Sequence, residues 1–87
     1  MPLSIAPTAA VAPALRRGTP LRLHPVGAGR WRVVDSTGRI VGHVDEVPDP
    51  LGTRYRARRY HPASRAFRDI GDFWSADDAV DCLRFAR

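Results

Sequence analysis

The chain has 87 residues, with 14 basic and nine acidic side chains and a net charge of +5. That length allows one small domain, which buries only about 60 to 65% of the surface its unfolded chain exposes. No apolar run approaches the roughly 20 residues of a membrane span. A single cysteine, Cys82, excludes an internal disulfide and fits a reducing, cytoplasmic compartment.

Five of the eight prolines fall within residues 1–25, mixed with alanine and threonine. Such a composition buries too little apolar surface to offset chain entropy. Residues 1–26 therefore read as a disordered, Pro/Ala-rich flexible tail ahead of one domain over 27–87. Pro2, Pro7 and Pro13 interrupt any secretory h-region, and no basic n-region precedes it.

From Arg30 the pattern becomes that of strands. "RWRVVD" alternates Trp31 and Val33 against Arg30 and Arg32, the period of a half-buried strand. "STGR" makes a turn, and the β-branched run "IVGHVDEV" returns antiparallel to the first strand. Gly42 inside that run marks a bulge or a close backbone approach. "PDPLG" ends it. A third strand, 53–60, places Tyr55 and Ala57 on one side and Arg54, Arg56 and Arg58 on the other. "RAFRDI" suggests a short fourth strand with Phe67 facing the core, although Ile70 is then out of phase unless a bulge intervenes.

The last element is a helix over about 75–86. Ser75 and Asp78 resemble a capping box, Trp74 is placed to staple onto Ala79, and Asp77 favours the positive helix end. Ala76, Ala79, Val80, Leu83 and Ala86 recur at helical spacing. The fold class is α+β: a small antiparallel sheet of three to four strands packed on one C-terminal helix.

A helix covering the Trp31, Val33, Tyr55, Ala57 and Phe67 side leaves the opposite side to solvent. On it the sequence places Arg30, Arg32, Arg54, Arg56, Arg58, Tyr60 and Arg68, together with His43. Every basic residue is arginine, whose planar fork suits phosphate and guanine, although the absence of lysine also fits a GC-rich coding bias. With five of nine carboxylates at or beyond Asp69, the acids look too distant to pair these arginines, so solvent exposure is expected.

The stretch "IGDFWSADDAVDCL", through Gly71, Phe73, Ser75, Asp78 and Ala79, resembles the strand-to-helix junction of Apetala/ethylene-response-factor DNA-binding domains. "RYRARRYHP" is similar to the basic strand before it, with Tyr55 at an aromatic position. The amino-terminal arm-binding domains of phage-type tyrosine integrases share that plan. The resemblance spans residues 54–86 and implies a three-stranded sheet docked in the major groove of duplex DNA. A groove about 12 Å wide admits a β-ribbon, and arginine offers two donors to guanine.

No nucleophile elbow, phosphate-binding glycine loop or metalloprotease helix is present. His24, His43, His61 and Cys82 are too scattered for a metal site. Asp77, Asp78 and Asp81 read as a helix N-terminus with a solvated face, Cys82 as a small hydrophobe, and Trp31, Trp74 and Phe73 as core. Neither catalysis nor a cofactor is indicated. The expected function is nucleic-acid binding, DNA ahead of RNA, in transcription, repair or recombination. The alternative is a protein-interaction domain that meets an acidic partner with the same face or uses an open sheet edge.

Overall fold

A computed structural model describes residues 12–85. Five strands form one antiparallel sheet in the order β1-β2-β3-β4-β5, with β1 at Arg22–Gly27, β2 at Arg30–Val34, β3 at Ile40–Asp49, β4 at Gly52–His61 and β5 at Ala66–Phe73. Helix α1, Ala76–Phe85, packs against β3, β4 and β5. Every strand joins its neighbour by a tight turn, so each pairing is local in sequence. Gly29 (φ 66°), Gly38 (φ 87°) and Gly52 (φ 139°) supply the left-handed positions at the first three turns. At the second, Asp35 Oδ1 accepts from the Thr37 hydroxyl (2.7 Å), Thr37 N (2.9 Å) and Arg39 N (3.0 Å). These bonds hold its carboxyl below the usual range, with the Thr37 hydroxyl as the largest cause.

The core lies between sheet and helix. Leu21, Val33, Val44 and Ala57 meet Ala79, Val80 and Leu83, with Leu15, Leu23, Val41, Tyr55, Ile70 and Phe73 around them. Each large side chain buried there contributes about 1.5–3 kcal/mol. The helix begins as its sequence implies: Asp78 N donates to Ser75 Oγ at 3.1 Å. Trp31 is 1% exposed, and its indole N–H donates to Glu46 at 3.1 Å.

Three expectations need correction. The sheet has five strands, because residues 22–27, assigned by composition to a tail, form β1. Residues 15–21 also belong to the domain: Leu15 and Leu21 pack on the core, and Arg16 N donates to Asp77 while its guanidinium reaches Asp81 at 3.0 Å. Residues 1–11 lie outside the described residues. Phe67 does not face the core. The register slips between Ala57 and Arg58, which makes Ile70 the extra residue of a bulge. Ile70 and Gly71 then share the helix side, and Phe67 and Asp69 are turned to the other.

A second bulge, at Val41, lets Gly42 sit opposite Val33. A Cβ on Gly42 would collide with the Arg58 carbonyl oxygen and meet Leu83 at 2.9 Å. The close approach expected at this glycine is where β3, β4 and α1 converge.

Candidate nucleic-acid interface

Alternation along each strand, combined with the pairing register, defines the face that α1 does not cover. One cross-strand row reads His24, Arg32, His43, Arg58 and Asp69; the next reads Arg30, Asp45, Arg56 and Asp72. Arg22 lies beside Val34, Arg54 beside Val47, and Tyr60 beside Phe67. Thus Arg30, Arg32, Arg54, Arg56, Arg58 and Tyr60 share one face, as the sequence implies. Arg68 does not: it pairs with Arg59 beyond the Ile70 bulge and falls on the helix side.

The arginines are not bare. Arg30 Nε and Nη2 donate to the two Asp45 oxygens at 2.9 and 3.1 Å, and Arg56 does the same to Asp72 at 2.9 and 3.2 Å. Arg58 Nε donates to Asp69 at 2.9 Å while its Nη1 lies 3.6 Å from Asp45. Arg54 Nε donates to Asp49 at 3.0 Å. Two-pronged guanidinium–carboxylate contacts are the stronger kind. Hydrogen bonding to Asp45, then its charge, raises the Arg30 pKa; Asp72 does the same for Arg56, whose hydrogen bond in turn lowers Asp72.

Asp69 and Asp72 are the acids the sequence seemed to place out of reach. Distance along the chain misleads here, because β5 lies directly beside β4 and brings both to the arginine row. The face carries six arginines (22, 30, 32, 54, 56, 58) against four aspartates (45, 49, 69, 72), a surplus of two positive charges. Among the described residues, Arg22 and Arg32 have no carboxylate within 4 Å.

An aromatic cluster lies within the same face. His43, 7% exposed, stacks on Phe67 at 3.9 Å between centroids and 14° between planes, and Tyr60 tilts against Phe67 at 5.0 Å. Neither ring nitrogen of His43 has a hydrogen-bond partner. Burial is the first cause that lowers its pKa, and Arg30 is the next, so the ring is held neutral. Trp74 departs from expectation. It is 52% exposed and lies under the Arg54 guanidinium, 4.6 Å from Cζ to the ring centroid, so it lies outside the core.

The hairpin of residues 30–47 offers no edge for pairing, since β2 and β3 are both internal. The sheet edges are β1, which carries Pro25, and β5. Among the described residues no three side chains form a metal-binding group, and no helix is long and apolar enough to cross a membrane. No family model, curated protein or solved structure matches the chain.

Proposed function

We propose that this chain is a nucleic-acid-binding module that engages phosphates through the open face of its sheet, with no catalytic step of its own. One observation carries the reading: all the arginines of β1, β2 and the Arg54-to-Arg58 row of β4 lie on the single sheet face that the helix leaves uncovered. Guanidinium groups two residues apart on one strand recur about every 6.6 to 6.8 Å, close to the spacing of successive phosphates. Arg22 and Arg32 supply the first contacts. The paired arginines join by exchanging an aspartate for a phosphate, with the freed carboxylate taken up by water and a counterion, so each exchange adds little net charge neutralisation. The interleaved aspartates favour a second reading, a protein partner of mixed charge registered against the same rows.

A mobility-shift series on duplex and single-stranded DNA at rising salt, with polyglutamate as competitor, separates the two. Nucleic-acid binding predicts retention at low salt, a linear fall of log affinity with log salt, and weak competition by polyglutamate at equal charge. Equal displacement by polyglutamate, or no retention at any salt, overturns the proposal.

A further inference from the structure

We propose that Trp74 is a base-stacking platform and that the open face takes nucleic acid with an unpaired base, a single strand in preference to continuous duplex. The inference rests on the nucleic-acid reading above and names its ligand class.

Trp74 is 52% exposed, whereas Trp31 is 1% exposed. A chain this short has few large side chains with which to build a core, and leaving half an indole in water forgoes burial that would stabilise it. The ring is nevertheless fixed. Asp49 holds the Arg54 guanidinium at 3.0 Å, and Arg54 in turn lies over the indole at 4.6 Å. The cation covers one ring surface, so the exposed part of the side chain lies on what remains. Bases in a duplex are already stacked above and below, whereas an unpaired base has a π-face to offer.

The position of the ring fits such a ligand. From Arg54 at the Trp74 end, β4 carries Arg56 and Arg58 to Tyr60, which leans on Phe67. That row places aromatic groups at both ends of a basic track about 20 Å long. Backbone charge meets the arginines while a base meets the indole, the combination by which single strands are held without sequence preference.

The test uses the full chain, with tryptophan fluorescence and anisotropy against oligo-dT and a duplex of equal length. Oligo-dT should quench the exposed Trp74 and leave Trp31 emission in place. Replacing Trp74 by alanine should weaken oligo-dT binding by about 5- to 150-fold while changing duplex binding less than twofold, and Trp74→Phe should restore most of the loss. Circular dichroism melting of both variants checks that the fold is retained. If wild type binds both ligands and Trp74→Ala weakens neither, or weakens both alike, the stacking platform is overturned and the arginine-face reading stands. If wild type binds no nucleic acid, both fall together.

Discussion

Replacing Asp45 and Asp69 with asparagine together tests whether the open face meets phosphate. Asp45 holds Arg30 by two hydrogen bonds and approaches Arg58 at 3.6 Å, and Asp69 holds Arg58 at 2.9 Å. Asparagine keeps the shape of each side chain and removes its charge, so Arg30 and Arg58 lose their ionic partners at once. An arginine that trades its aspartate for a phosphate leaves that aspartate unpaired, so the wild-type face neutralises a net two phosphates and the variant a net four. The slope of log affinity against log salt should steepen from about −1.4 to −2.8 on single strands, or from about −1.8 to −3.6 on duplex. Put as a measurement, a fourfold rise in salt should weaken duplex binding about 12-fold in wild type and about 150-fold in the variant.

Anisotropy titrations over that salt range read the slope directly. Stability limits the choice of temperature. The Asp45 side chain is 15% exposed, but Arg30 is 44% and Asp69 57% exposed and solvent screens both pairs, so the loss should be only about 1 kcal/mol per pair. A control with the same charge change elsewhere is Asp78→Asn with Asp81→Asn, both on α1 and near Arg16. That control should leave the slope near wild type. If the open-face variant stays folded and its slope matches that of the control, Arg30 and Arg58 do not face the ligand, and the docking argument fails.

Three further outcomes follow from the same geometry. Gly42→Ala should destabilise by about 2–3 kcal/mol, because the new methyl meets the Arg58 carbonyl rather than a side chain that can turn away; thermal melting would show a Tm drop of about 10 to 20 °C. Changing Arg54, Arg56 and Arg58 together to glutamine should lower Tm by about 5 to 20 °C as well as weaken binding, since Asp49 and Asp72, 21% and 28% exposed, lose their partners; an unchanged Tm would show those pairs to be inert. His43 supplies a pH dependence. With its folded pKa lowered, the unfolded chain takes up the proton first, so stability is full above about pH 6.5 and falls as pH drops toward the folded value. His43→Phe keeps a ring against Phe67 and should flatten the denaturant midpoint between about pH 7 and 5.

What the sequence disclosed was whatever depends on local period. The alternation in "RWRVVD" and "RYRAR" placed Trp31, Val33, Tyr55 and Ala57 on the helix side, and the helix start at Ser75 was readable from its cap. Besides the exposure of Trp74, three features escaped it. Strand β1 is proline-interrupted and carries little apolar signal, since its main anchor, Leu23, is helped by Leu15 and Leu21 from outside the strand. The phase of β5 depends on a bulge that periodicity flags at Ile70 without fixing, and that one residue decides whether Phe67 and Arg68 face the helix or the solvent. Asp69 and Asp72 are remote along the chain but adjacent to Arg58 and Arg56 across the sheet, a proximity that only the strand pairing reveals.

That proximity changes what the face can select. A bare arginine surface would take any polyanion, and its affinity would be almost wholly electrostatic. Here four aspartates already satisfy most of the guanidinium groups, so a phosphate that displaces one gains only the difference between two similar contacts. The face itself carries a surplus of only two charges. Discrimination against polyglutamate must then come from interactions that a bare charged chain cannot supply. An exposed, oriented indole at the end of the row is one such source for unpaired bases, and the Trp74→Ala result measures its share.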